Sequence, residues 1–252
     1  MDKTSWQKVG EWYDGIIGES GSYYHQHVIL PKVMPLLNLK KGASLLDLGC
    51  GQGVLAGALL PEVDYLGLDA AKYLLQKAKA RHKTRQFMLA DITKPLPLAK
   101  DRRFSHAAII LALQNVEDPE KVFLHLRPHL EPKATLVLVL NHPCFRIPRQ
   151  SSWGFDEKTK TQYRRLNGYM SKQKIPIQAH PSQKEASTNT WSFHHPLSDY
   201  VRFLANAGFQ IQLIEEWCSD KESTGKAARW ENRARKEFPL FLALKATLVS
   251  VI

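Results

Sequence analysis

Cysteine is scarce in this chain. Cys50, Cys144 and Cys218 are the only three in 252 residues, odd in number and far apart. That excludes a disulfide framework and a paired-cysteine zinc site. Long apolar runs are also missing, and no stretch could cross a bilayer as a helix. The opening residues MDKTSWQKVGEWYDG are polar and mixed in charge, without the apolar core of a secretory signal. A cytoplasmic protein with no membrane contact is therefore expected. No internal repeat and no low-complexity tract occurs. The acids and histidines lack ligand spacing, so no metal is expected.

What is present is ordinary globular material: 44% hydrophobic and 23% charged residues. Such a chain can bury a sizeable core and is not a disordered tail. The net charge of +11 favours anions, whether nucleic acid, acidic lipid or an acidic small molecule. Part of it is concentrated. From Asn141 to Thr190 nine basic residues face three acids. This stretch has no clear hydrophobic period and reads as a lid or binding loop.

Elsewhere short apolar runs alternate with segments of helix length. Ser44–Gly49, Asp64–Asp69, Gln86–Asp91, His106–Leu111 and Ala134–Asn141 suit strands buried on both faces. Asp118-Pro119 marks a helix start, followed by Val122, Phe123, Leu126 and Leu130 on one face. Leu197, Tyr200, Val201 and Leu204 form another helical face that Gly208 can end. Phe209–Cys218 and Phe238–Val249 read as two further strands, pairing antiparallel at the sheet edge. Strand–helix alternation predicts a doubly wound α/β fold: a mostly parallel seven-stranded sheet, an antiparallel C-terminal edge strand, and helices on both faces.

The most informative residues are Leu45-Leu46-Asp47-Leu48-Gly49-Cys50-Gly51-Gln52-Gly53. A buried strand ends in an acid. Three alternate glycines then let a ligand approach the backbone, and Val54–Leu60 reads as a helix offering its free N–H groups. The next strand ends in Asp69, twenty positions after Gly49. An acid there can accept hydrogen bonds from both hydroxyls of a ribose. Asp91 and Ile92, after the third strand, could hold an adenine by its amino group and its face. The three acids thus stand where open α/β sheets bind ligands.

At this point the sequence resembles the class I S-adenosylmethionine-dependent methyltransferases. LLDLGCGQG looks like the family's first motif, LGLDAA its ribose-binding segment and LADI its adenine-contacting segment. ILALQNVEDP resembles the motif after the fourth strand, and HHPLSDYVRFLANAGFQ with PLFLALKA the end of the small-molecule branch. The resemblance implies S-adenosylmethionine as cofactor. It puts Asp47, Gly49, Gly51 and Gly53 near its methionine part and Asp69 with Ala70 at the ribose. Asp91 with Ile92 falls at the adenine, and Leu111 with Gln114 beside the sulfonium. The implied organisation is one Rossmann-like domain over residues 1–252. Residues 1–40 form a helical N-terminal lid, and 142–195, after the fifth strand, a substrate cap.

The expected reaction is methyl transfer to a hydroxyl or carbon of a small molecule, anionic or aromatic. His142, His195 and His25 are the expected bases near neutral pH. Trp6, Trp12, Tyr13, Trp153 and Trp191 could line an aromatic pocket. Other readings compete. A dehydrogenase needs GxGxxG, whereas the third glycine here comes one position early, and Tyr73 with Lys77 only mimics a reductase pair. Methylation of RNA or protein through the basic segment is less favoured. The fourth strand is not followed by Asn/Asp-Pro-Pro-aromatic, and Cys144 lacks the setting of a nucleophile. A non-catalytic cofactor-binding module is a further reading. The sequence leaves the oligomeric state open.

Overall fold

The computed structural model describes residues 6–178 and 189–249. The N-terminal part holds helix α1 (Trp6–Ile17), a short π-helical turn at His25–Ile29 and α2 (Leu30–Leu37). Strand β1 (Ser44–Leu48), β2 (Asp64–Asp69), α3 (Lys72–Arg81), β3 (Gln86–Leu89), β4 (Phe104–Ile110), α4 (Pro119–Leu126) and β5 (Leu130–Asn141) follow. Two hairpins come next, β6 (Ser151–Asp156) with β7 (Thr161–Leu166), and β8 (Gln173–Gln178) with β9 (Asn189–His194). Helix α5 (Leu197–Asn206), β10 (Phe209–Trp217), α6 (Ala228–Glu237) and β11 (Phe241–Leu248) complete the chain.

The main sheet has seven strands in the order β3-β2-β1-β4-β5-β11-β10. Strands β1 to β5 run parallel, and β11 pairs antiparallel with both β5 and β10. The antiparallel C-terminal strand therefore lies one place in from the edge, which β10 occupies. The chain leaves β1 toward β2 and β3, then returns to β1's other side as β4. This reversal opens a crevice at the carboxyl ends of β1 and β4.

Alternation along the strands assigns the two faces. Leu46, Leu48 and Leu66 pack with Phe123 and Leu126 of α4 and Tyr200, Phe203 and Leu204 of α5. Leu45, Val137 and Val139 pack on the other face with Val33 and Leu37 of α2 and Leu75 and Ala78 of α3. Burial on both faces explains why β1 and β2 read as continuous apolar runs. Gly208, at φ +82°, ends α5 in the left-handed region that a glycine adopts without strain. Tyr73 and Lys77 are packing residues: Lys77 Nζ lies 5.4 Å from the Tyr73 ring and 3.9 Å from Asp14.

Two local expectations are corrected. Val54–Leu60 forms no α-helix, only turns and a single 3-10 turn at Ala56–Ala58. Gly57 and Pro61 leave too short a window for a stable helix. The exposed carbonyls are gathered by Arg85 instead, which donates to Leu59 O at 3.0 Å, Leu60 O at 2.7 Å and Val63 O at 2.7 Å. The segment from Pro143 to Thr190 is not irregular, since both hairpins lie in it. Their faces are mostly half exposed, so no apolar alternation announced them. Residues 1–5 of the expected lid and 179–188 of the expected cap lie outside the described residues.

Candidate active site

A cavity of about 570 Å³ opens at the carboxyl ends of β1, β2, β3 and β4. That volume suits a small ligand or cofactor. The turn after β1 forms its floor. Gly49 has φ +73° and Gly51 φ +54°. A Cβ on Gly49 would lie 2.4 Å from Ala112 Cβ, whereas one on Gly51 would meet nothing within 4 Å. So Gly49 permits contact between two loops, and Gly51 leaves bare backbone facing the cavity. Gly53 plays neither part. Its missing side chain makes room for His82 and Phe87, away from the cavity.

Asp69 stands at the end of β2 on the cavity wall. Its Oδ2 accepts the Gly51 N–H at 2.8 Å and its Oδ1 the Ala71 N–H at 2.7 Å. Two lone-pair positions remain for other donors. Burial raises its pKa, opposed by these backbone bonds. Tyr13 of α1 also lines the cavity; burial and the Asp69 charge push its phenol up to about 12. The N-terminal helix thus reaches over the ribose-type acid.

Asp47 is fully inside the protein and does not line the cavity. Tyr65 donates to its Oδ2 at 2.8 Å, yet burial dominates and raises its pKa to about 7. Ala70, Asp91, Ile92 and Leu111 all line the cavity. Asp91 Oδ1 accepts from the Thr93 backbone at 3.0 Å and its hydroxyl at 2.6 Å, fixing the loop after β3. Leu111 holds a strained φ of +52° at the end of β4, and its carbonyl accepts the Gln114 amide at 2.8 Å. Gln114 itself stays outside the cavity.

None of the three expected bases lines this cavity. His142 is 1% exposed. Its Nδ1 accepts the Cys144 N–H at 3.2 Å, which leaves the proton on Nε2 to donate to Glu216 at 2.7 Å. Burial lowers its pKa despite that carboxylate. His195 sits 3.6 Å from Asp199 and packs edge-on against Tyr200 and Phe203. His25 pairs with Ser22 Oγ at 2.8 Å, beneath the Gly21 loop that touches Val54. His142 and His25 are held by local hydrogen bonds, whereas His195 Nδ1 is buried without a hydrogen-bond partner among the described residues. Cys144 is half-buried, 3.4 Å from the Tyr169 hydroxyl.

The rim holds residues the motifs did not mark. Trp6 joins Tyr13 from α1; Lys174, Trp191 and Phe193 come from the β8–β9 hairpin. Lys174 Nζ lies 5.0 Å from the Trp191 ring, 5.5 Å from the Phe193 ring and 3.6 Å from Glu117. Of the expected aromatic residues, Trp6, Tyr13 and Trp191 line the cavity, while Trp153 packs on Phe238 and Arg164. Only composition hinted at the hairpin's part.

The sheet order and the strands' directions are those of the class I methyltransferase fold. Residues 46–138 match the family model of a methyltransferase domain. An S-adenosylmethionine-dependent methyltransferase from Mesorhizobium loti superposes with a TM-score of 0.67 at 26% identity, over 86% of this chain and 96% of that one. A Listeria monocytogenes protein of that putative kind gives 0.63 at 20%, over 90% and 98%. An uncharacterised Haemophilus influenzae protein is 27% identical over 202 residues, 74% of each chain. The chain thus carries a methyltransferase domain over residues 46–138 and, along most of its length, is similar to S-adenosylmethionine-dependent methyltransferases. The cavity residues fit that cofactor: Gly51 leaves the open space a ligand backbone approach needs, and Asp69 keeps free acceptor positions.

Proposed function

We propose that the enzyme methylates a hydroxyl or carbon of a small molecule, with the cofactor lying across β1 to β4. The observation that carries the reading is Asp69 on the cavity wall, its carboxylate held in place by the Gly51 and Ala71 backbone and able to accept from a further donor. In this reading Asp69 accepts from the sugar hydroxyls, Asp91 and Ile92 hold the base, and Gly49 and Gly51 admit the amino-acid end. When bound, S-adenosylmethionine supplies an electrophilic methyl group on a sulfonium.

The chain then has two tasks: to align the acceptor and to exclude water. Trp6 and Tyr13 on one side and Trp191 and Phe193 on the other give the cavity an apolar rim that shields the reacting atoms. In this reading alignment carries most of the rate. Effective alignment contributes up to roughly 7–11 kcal/mol in favourable cases. In the small-molecule reading, Asp47 does not meet the acceptor.

Isothermal titration tests the cofactor site. The expected result is micromolar binding of S-adenosylmethionine and S-adenosylhomocysteine by the native chain and a sharp loss in D69A. Native affinity in D69A overturns the sugar assignment. A labelled-methyl screen against fractionated cell extract tests the acceptor class. Label in the small-molecule fraction is expected; label only in RNA, only in protein or nowhere contradicts it.

A further inference from the structure

Beyond β4 the carboxyl edge of the sheet changes character. Arg146 follows β5 by five positions, and its guanidinium lies 5.8 Å from the Phe241 ring at the start of β11. Phe241 in turn packs edge-on against Tyr24, 5.7 Å away. Arg164 on β7 lies 5.0 Å from the Trp153 ring and donates to Phe145 O and Ser151 Oγ, both at 2.8 Å. Lys32 sits 5.6 Å from the Trp217 ring. Among the described residues, no carboxylate comes within ion-pair distance of Arg146, Arg164 or Lys32.

Arg146 is the sharpest case. Its guanidinium makes no hydrogen bond among the described residues, yet its nitrogens are not sealed from outside. Burial pulls its pKa down, and the Arg146 charge is one of the causes that lower Arg164. A half-buried cation beside a like charge, with no acid to pair, is costly. Glu216, at the end of β10, is 2.7 Å from His142 instead. A bound anion would remove this cost and would use the planar fork of the guanidinium in full.

Arg146, Tyr24 and Phe241 lie outside the cavity lining, further along the same carboxyl edge of the sheet. Across the sheet the order is β3, β2, β1, β4, β5, β11. Asp91, Asp69 and Gly49 belong to the first three, and Arg146 with Phe241 to the last two. Leu111, at the cavity wall, bonds to Val139 two residues before the end of β5.

We propose that Arg146, flanked by Arg164 and the Tyr24–Phe241 rings, binds the carboxylate or phosphate of the methyl acceptor, which is an acid carrying an apolar or aromatic body. The assignment rests on the methyltransferase reading above. Tyr24, only partly buried and backed by the core ring of Phe241, supplies an aromatic surface next to the charge, and aromatic acids present both features.

The test uses the full chain at constant ionic strength, with and without saturating S-adenosylhomocysteine. Benzoate, phenyl phosphate and inorganic phosphate are titrated separately, and Tm is followed. A saturable rise with benzoate or phenyl phosphate is expected. Benzoate alone assigns a carboxylate, phenyl phosphate alone a phosphate. In R146Q and in R146M, which keeps the stem on Phe241, the apparent anion affinity should fall at least tenfold while S-adenosylhomocysteine affinity stays within twofold. A merely structural Arg146 would lower Tm without changing the anion-induced increment. The proposal is overturned by an unchanged increment in either variant, by no saturable rise in the native chain, or by a response to inorganic phosphate alone. Anion binding without S-adenosylhomocysteine binding would instead sink the methyltransferase reading and leave Arg146 as an anion site.

Discussion

The two halves of the carboxyl edge use opposite charges in opposite ways. Over β1, β2 and β3 the chain places acids: Asp47, Asp69 and Asp91, each held by a nearby hydrogen-bond donor. Over β5, β11 and β10 it places Arg146, Arg164 and Lys32 against rings, with no carboxylate among the described residues at ion-pair distance. Acids anchored by nearby donors, the backbone for Asp69 and Asp91 and Tyr65 for Asp47, are fixed parts of the fold. Cations facing rings and lacking acids are a wall still missing a partner. The same sheet edge is thus suited to a nucleoside with hydroxyl and amino donors on one side and to an acid on the other.

Four substitutions break or sharpen that contrast. The largest effect belongs to Asp47. Its folded pKa of about 7 lies above its ordinary value of 3.8, so the folded state holds a proton that the unfolded state releases. The resulting stability is complete below pH 4 and is lost as the pH rises through about 7. At about 1.4 kcal/mol per unit this approaches 4 kcal/mol. D47N should reduce the pH dependence of chemical denaturation over that window. An unchanged slope contradicts the buried-acid account. Next, D69A should weaken S-adenosylhomocysteine at least about 100-fold by titration, since charge-assisted bonds contribute roughly 1.5–3 kcal/mol each. It should leave benzoate binding untouched.

R146Q is the converse: about tenfold weaker benzoate binding, unaltered S-adenosylhomocysteine affinity. In the double variant D69A/R146Q the two losses should add to within about 0.5 kcal/mol, and strong coupling would merge the two halves into one site. The smallest effect is W191A, at the rim. Loss of one ring should weaken S-adenosylhomocysteine about three- to fivefold, roughly 1 kcal/mol or less. A loss as large as that of D69A would move the nucleoside onto the hairpin.

Legibility in the sequence followed burial. Strands β1, β2 and β5 were plain because both faces are covered and the apolar runs are unbroken. The acids Asp69 and Asp91 stood out because they end such strands, and both line the cavity. The helix expected at Val54–Leu60 failed because Gly57 and Pro61 outweighed the apolar pattern. The hairpins β6–β7 and β8–β9 were hidden because half-exposed strands carry little alternation. The histidines misled for a related reason. His142 does follow β5, but sequence position cannot tell which way a ring turns. Here Glu216 and the Cys144 backbone turn it inward. Trp191 reaches the cavity only through the pairing of β9 with β8, a contact no short motif encodes.

The most direct test is a crystal structure of the native chain grown with S-adenosylhomocysteine. The nucleoside should lie over the Gly49–Gly51 turn, with both sugar hydroxyls on the Asp69 carboxylate. Density for it at any other place, or Asp69 left without a sugar contact in a fully occupied complex, contradicts the account.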